Sequence, residues 1–221
     1  SAKQLFLNLP ILALNFGATN IVTASSEERR SFLDWGVFHV EHSYIDMFKD
    51  YQKAVKQRNT LLKKKDKPAL EYWTETVVDK GEKLNSFRES YFNEFNNEFM
   101  SLQESIASFM PDAYSDIRES SLVFVRGWPY NMSLEHAMRE SIDKDLALKY
   151  TTCGPHRADI IFKTSGYDLK NISSMSTQIV TSLLMVLSQA SMFHVKHNHN
   201  PIVLIDDLFF GIDDKNLKLV I

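Results

Sequence analysis

Apolar residues recur along this chain with two different periods. Between positions 44 and 109 the steps are three and four residues. Tyr44, Phe48, Tyr51, Val55 and Leu62 mark one helical face, which ends near Lys67-Pro68. Leu70, Trp73 and Val77 predict a short second helix up to Gly81. Leu84, Phe87, Tyr91, Phe95, Phe99, Leu102, Ile106 and Phe109 predict a long third one. An aromatic stripe of this kind reads as packing surface, and the three helices together read as an all-helical arm. On either side the pattern changes. Residues 10–14 and 20–23 read as short strands with a turn at Gly17, and Ser25-x-x-Glu28 is a capping box that opens a helix. Beyond Pro111, strands are expected at 121–126, 157–163 and 201–206. Helices are expected from Ser133 to about Ile142 and from Ser174 to His194. Strand and helix alternate here, so the head is expected to be α/β or α+β. The expected division is 1–42, first head segment; 43–112, arm; 113–221, second head segment.

Composition narrows the function. The chain has 221 residues, 44% hydrophobic and 24% charged, which excludes global disorder. A formal charge of −3 means that any nucleic-acid contact must come from a local patch. The single cysteine, Cys153, excludes an intramolecular disulfide and favours a reducing, cytoplasmic setting. The longest apolar runs, 5–16 and 179–187, fall short of the roughly 18 residues of a membrane span, so no membrane partner is expected. The seven glycines never lie closer than twelve positions apart, so neither G-x-x-x-x-G-K-[ST] nor G-x-G-x-x-G exists here.

Three clusters could carry chemistry. Pro201-Ile-Val-Leu-Ile-Asp206-Asp207 puts two carboxylates at the carboxyl end of a strand of buried type, where α/β sheets bind ligands. One carboxylate can hold Mg²⁺ and the next can act on an attacking water, as in a Walker B motif. A strand that simply ends in a polar turn has the same pattern. Asp213-Asp214 adds a second acidic pair, which alone would be a solvated turn. His194, His197 and His199 have a spacing that can ligate Zn²⁺ or Ni²⁺, the basis for an alternative reading as a metal-dependent hydrolase. Between positions 53 and 67 lie Lys53, Lys56, Arg58, Lys63, Lys64, Lys65 and Lys67 against one acid, Asp66. From 71 to 112 there are nine acids and three bases. Either the two helices neutralise each other, or the basic run meets a phosphate backbone.

Several segments, in order, resemble the RecF family of bacterial recombination mediators. Glu28-Arg-Arg-Ser-Phe-Leu-Asp34-Trp-Gly-Val-Phe-His39 is similar to its R-R-x-F-L-D-W-G-x-F-H segment, and Lys56-Gln57-Arg58-Asn59 to its K-Q-R-N. Gly127-Trp128 follows, and Tyr150-Thr-Thr-Cys-Gly-Pro-His-Arg-Ala-Asp159 resembles Y-T-x-x-G-P-H-R-A-D. Leu204-Ile205-Asp206-Asp207 resembles its L-I-D-D Walker B, with Asp213 at the D-loop.

The resemblance implies an ATP-binding-cassette head with an inserted helical arm, and a protein that takes ATP and Mg²⁺ and closes as a homodimer. It would bind single-stranded or gapped DNA and work with RecR and RecO to load RecA during repair and the SOS response. In that frame Asp206 holds Mg²⁺, Asp207 acts on the attacking water, and Ser174 and Asp213 serve the nucleotide. The family's Walker A loop would lie upstream of Ser1 and its switch histidine downstream of Ile221, so the chain reads as a fragment. Its signature segment departs from the family pattern. Where S-R-G-Q-x-K is usual, Ser174-Met-Ser-Thr-Gln-Ile179 stands, without the glycine or the two cations. A non-hydrolysing interaction module of the same shape is the alternative that this departure favours.

A chain whose glycine spacing forbids a phosphate loop is expected to hold ATP weakly at best. Calorimetry with Mg²⁺ present should detect no micromolar binding to these 221 residues, and a micromolar isotherm would contradict the reading.

Overall fold

The computed structural model describes residues 9–15, 20–64, 67–109 and 115–206. Contacts divide the chain into two compact units. The first takes in residues 1–29, 92–123 and 161–221, and the second residues 30–91 and 124–160.

In the first unit, strand β1 (Ile11–Asn15) pairs in parallel with β5 (Ile202–Asp206), from Ile11 opposite Ile202 to Asn15 opposite Asp206. Helix α8 (Met175–His197), which follows the short α7 (Leu169–Ile172), packs on β1. Ile179, Val180, Leu183, Leu184, Met185 and Val186 of this helix are all nearly inaccessible, a substantial apolar burial for six side chains. The helix is long and apolar enough to cross a membrane, more so than the run at 179–187 suggests. Two thirds of that stretch (67%) is nonetheless buried inside the protein, as in a core helix. β3 (Asp159–Thr164) and β4 (Tyr167–Asp168) form a hairpin at the edge of a sheet ordered β2–β3–β4, where β2 is Ser120–Val125. Ser165 and Gly166 take positive φ in the two-residue turn that the hairpin's twist requires, and Lys163 pairs with Asp168 at 2.6 Å across its base.

The expected capping box is present. Ser25 N–H donates to the Glu28 carboxylate at 2.7 Å and Glu28 N–H to the Ser25 hydroxyl at 3.2 Å, opening α1 (Ser26–Val40). The strand expected at 20–23 is instead a turn. The Asn20 side chain and carbonyl both accept from Thr23 N–H, and the carbonyl also from Ala24 N–H, which takes these amides away from any ladder. β5 also departs from expectation. It pairs with β1 alone among the described residues, and Ile202, Leu204 and Ile205 are 44%, 53% and 39% exposed, so it is not buried on both faces.

The second unit contains most of α1, all of α2 (Tyr44–Lys64), and residues 67–91 of α3 (Lys67–Phe109). It also contains α5 (Leu134–Glu140) and α6 (Ile142–Leu148), which follow α4 (Ser115–Arg118) of the first unit. A 3-10 turn at Pro155–Arg157 leads into β3, which therefore starts two residues later than expected. Ser133 caps α5 as expected, by accepting from His136 N–H at 3.1 Å. α3 does not break at Gly81. The missing side chain there leaves room for Leu134 and Tyr51, so a glycine that looks like a stop in sequence is a site of close helix packing.

Gly127 and Gly154 approach each other in this unit, with Gly154 N–H donating to the Gly127 carbonyl at 3.1 Å. Gly127 has φ +95°, and a Cβ there would run into the Gly154 carbonyl oxygen, whereas one on Gly166, at φ +83°, would meet nothing within 4 Å. Left-handed backbone costs an L-residue about 1–2 kcal/mol at either position. The clash at Gly127 adds about 1–3 kcal/mol more. In urea unfolding, Gly127→Ala should therefore lose more stability than Gly166→Ala; equal losses would remove the packing argument.

Candidate functional site

The residues singled out by sequence fall into both units. In the first, Asp206 is the last residue of β5, exposed at the carboxyl edge of the parallel pair. Asp207 and Asp213 lie outside the described residues. Ser174, also exposed, is the N-cap of α8. It accepts from Thr177 N–H at 3.1 Å, and its hydroxyl lies 2.9 Å from that of Thr177. A 23-residue helix beginning here presents its amino-terminal N–H groups and positive dipole end beside Ser174. Met175, where the family has arginine, is 52% exposed.

The three histidines do not form a metal centre. Among the described residues no group of three His, Cys, Asp or Glu side chains converges on one point. Asn198, left-handed at φ 57°, ends α8, and its N–H donates to the His194 carbonyl. His197 and His199 lie against Phe193 with ring centroids 4.4 and 5.2 Å away. They cover an aromatic ring, and among the described residues the metal-hydrolase alternative finds no site; its Asp207 lies outside them.

In the second unit the basic run separates by face. Lys53, Lys56, Lys63 and Lys64 are exposed on α2, and none is ion-paired with a described acid. Lys80 bonds Asp50 at 3.3 Å and Lys83 bonds Asp79 at 2.8 Å, so the described ion pairs of α2 and α3 leave these four lysines unneutralised. Lys65 and the side chain of Lys67 lie outside the described residues. Lys56 and Lys63 line a groove of about 480 Å³ with Gln52, Asn59 and Thr60.

Arg58 does not belong to this surface. Its side chain is 0% exposed and bonds Asp145, also 0% exposed, at 2.7 Å, with Thr151 Oγ1 at 2.8 Å and Thr74 Oγ1 at 3.0 Å. Taking away one partner of such a pair costs about 3–5 kcal/mol, so Arg58 acts on the fold and not on DNA. Tyr44, Tyr51 and Arg58 are spaced by seven and all buried, and that heptad is the sequence signal that separates Arg58 from its lysine neighbours.

The same network takes in residues that the sequence reading did not single out. The other Asp145 oxygen accepts from Thr152 N–H and hydroxyl at 2.9 and 2.6 Å, and Asn59 Oδ1 accepts from Thr151 N–H at 2.8 Å. Arg88 grips Asp34 with two bonds of 2.7 and 2.8 Å and donates to the Pro155 carbonyl at 2.6 Å. Tyr44 donates to Asp34 at 2.5 Å. Burial alone would lower the affinity of Arg88 for its proton; Tyr44 and Asp34 outweigh it and hold the guanidinium above its ordinary value.

His156 closes the network. Its Nδ1 lies 2.7 Å from the Tyr51 hydroxyl and its Nε2 3.0 Å from the Thr151 carbonyl. A carbonyl can only accept, so Nε2 carries the proton and Nδ1 accepts from Tyr51, whose ionisation burial pushes up. Burial first, and then the Arg157 and Arg30 charges, lower His156 from 6.5 to about 4 against the opposing Thr151 bond. Between these values the unfolded chain binds the proton and the folded one does not. Stability is therefore full above pH 6.5 and falls as pH drops toward 4, by at most about 3 kcal/mol. In urea titrations, His156→Phe should flatten the loss between pH 6.5 and 4; an unchanged acid limb would assign it to other groups.

No family model matches the chain. Two relatives named "DNA replication and repair protein RecF" are each 32% identical to it. The one from Nitrosococcus oceani matches 98% of this chain and the one from Hahella chejuensis 97%. The chain spans 59% and 57% of their lengths. Two solved structures share its fold: the recombination mediator protein RecF-ATP of the RecFOR pathway and its RecF-ATPrS counterpart. Their TM-scores are 0.75 and 0.77, at 22% and 21% identity. They match 95% and 99% of this chain, over 58% and 62% of their own.

Proposed function

We propose, from a chain that belongs to the RecF family over the stretch it shares with these relatives, that it is the part of a DNA replication and repair protein that carries a DNA-binding helical arm and one edge of an ATP-handling head. The observation that carries this reading is the lysine face of α2. Lys53, Lys56, Lys63 and Lys64 are exposed and unpaired with any described acid, beside a groove lined by Gln52, Asn59 and Thr60 as well as by Val55. Lysines in this state contact phosphates as point charges and release counterions, giving affinity without sequence preference.

The nucleotide part of the reading rests on the first unit. Asp206 offers a hard oxygen donor at the carboxyl edge of a parallel strand pair, which suits Mg²⁺, an ion that takes one or two carboxylates and keeps its remaining waters. Asp206 would hold Mg²⁺, which supplies charge neutralisation to ATP phosphates, while Asp207 would orient the attacking water and Asp213 would serve the D-loop. Ser174, at the start of α8, would reach the γ-phosphate of a nucleotide held by a second subunit in a homodimer. In the complete protein this head would act with RecR and RecO on single-stranded or gapped DNA in the cytoplasm and assist RecA loading.

Charge reversal tests the arm. Lys56→Glu, Lys63→Glu and Lys64→Glu together should weaken binding to a labelled single strand and to a gapped duplex at low salt. Three lost phosphate contacts should flatten the log–log salt slope by about 2, at ~0.7 per contact on single strands. Parent-like binding at every salt concentration would reject the arm as the DNA surface.

A further inference from the structure

A groove of about 990 Å³ opens within the second unit between the first half of α3 and the α5–α6 pair. Leu70, Val78, Met138, Ile142 and Leu146 make its apolar lining. Its rims are acidic. Glu71, Glu75 and Asp79 follow one another at four-residue steps, so they stack along one face of α3 over about 12 Å. Glu135 and Asp143 line it from α5 and α6. Arg139 is the single cation among the lining residues and is already held by Glu135 at 2.5 Å. Glu71, Glu75 and Asp143 have no ionic partner among the described residues.

The geometry points to a docking site for a basic amphipathic helix of another protein. Its leucine-like side chains would fill the lining at three- and four-residue steps, and its lysines or arginines would lie against the carboxylates of the two rims. The charge pattern selects this occupant. Asp79 and Glu135 are held by Lys83 and Arg139, and the remaining carboxylates, Glu71, Glu75 and Asp143, repel DNA, anionic lipid surfaces and acidic peptides while they attract a basic one. A small apolar ligand would make no use of carboxylates standing in solvent. A second copy of this chain fits poorly as well, because its exposed lysines on α2 have, among the described residues of that helix, no exposed large apolar side chain beside them to enter the groove.

A fluorescein-labelled synthetic helix of leucine and lysine, about 18 residues or five turns long, serves as the probe, with a leucine–glutamate helix as its counterpart. The full chain should bind the first and not the second in fluorescence anisotropy. Glu71→Lys, Glu75→Lys and Asp79→Lys together should weaken binding by at least about tenfold, as should Leu146→Asn in the half-buried lining. Circular dichroism melting checks that both variants fold, and hydrogen exchange on the parent chain should show protection by the peptide at 70–79 and 135–147. Unchanged affinity in the rim variant, full affinity in the lining variant, or protection confined to other segments would each overturn the proposal. Self-association of the free chain in sedimentation, abolished by the rim variant, would overturn it in favour of a second copy.

Discussion

Two guanidinium groups with almost no access to water determine how the second unit is built. Arg58 and Arg88 are 0% and 1% exposed, and neither can lose its charge. Each therefore needs a carboxylate that is itself held in place. Asp145 meets Arg58 from α6, and Asp34 meets Arg88 from α1. Both arginines also bond the 151–157 loop, through the Thr151 hydroxyl and the Pro155 carbonyl. Moving that loop would strip each guanidinium of one of its hydrogen bonds. Arg58 Nη2 has no hydrogen-bond partner, so the network is not fully satisfied and an apolar core of equal volume would be at least as stable. What the charges contribute is uniqueness of register. With Arg58 fixed inward, the exposed positions of α2 are fixed as well, and they are the lysines.

The segments that resemble RecF divide by role in the same way. Asp34, Arg58-Asn59, Gly127 and the stretch from Thr151 to Ala158 all lie in the second unit, and all are joined by the bonds that hold it together. Arg30 donates to the Ala158 carbonyl at 2.7 Å, and Gly127 accepts from Gly154. In this unit the likeness records a folding constraint. Ser174, Asp206 and the altered 175–176 positions belong to the first unit, where the chain departs most from the family pattern. Loss of charge at an exposed helix start such as Met175 leaves the packing of α8 untouched, because its buried face begins at Thr177 and Ile179. The start of α8 can therefore change without a penalty in the fold, while the network around Arg58 and Arg88 cannot.

Periodicity made the long elements legible. α8, with its Ser174 cap, the Ser25–Glu28 box and β2 follow from local rules that the rest of the molecule does not oppose, as does the position of β5 though not its burial. Two departures have separate causes, a tertiary contact at Gly81 and a local turn at 20–23. Gly81 looks like a helix stop until Leu134 and Tyr51 are seen against it, and residues 20–23 look extended until Asn20 takes their amides. Arg58 joins the basic run when charge is counted along the sequence and leaves it when charge is counted by helical face. Asp34 and Asp145 were missed for a related reason. Their partners lie 54 and 87 residues away, beyond the reach of any local pattern.

The formal charge of −3 conceals the arrangement that matters for binding. Within the second unit, the groove beside the α2 lysines and the acidic apolar groove beside α3 share no lining residue, and their opposite signs nearly cancel in the total. Exposed charges more than about 8–10 Å apart are screened from one another at physiological salt, so each surface acts on a partner by its own local sign. A polyanion and a cationic helix are then complementary to different faces of one unit. Both surfaces depend on the same buried arginines: Arg58 turns the lysines of α2 outward, and its partner Asp145 lies on α6, the helix that carries Asp143 and Leu146 into the groove.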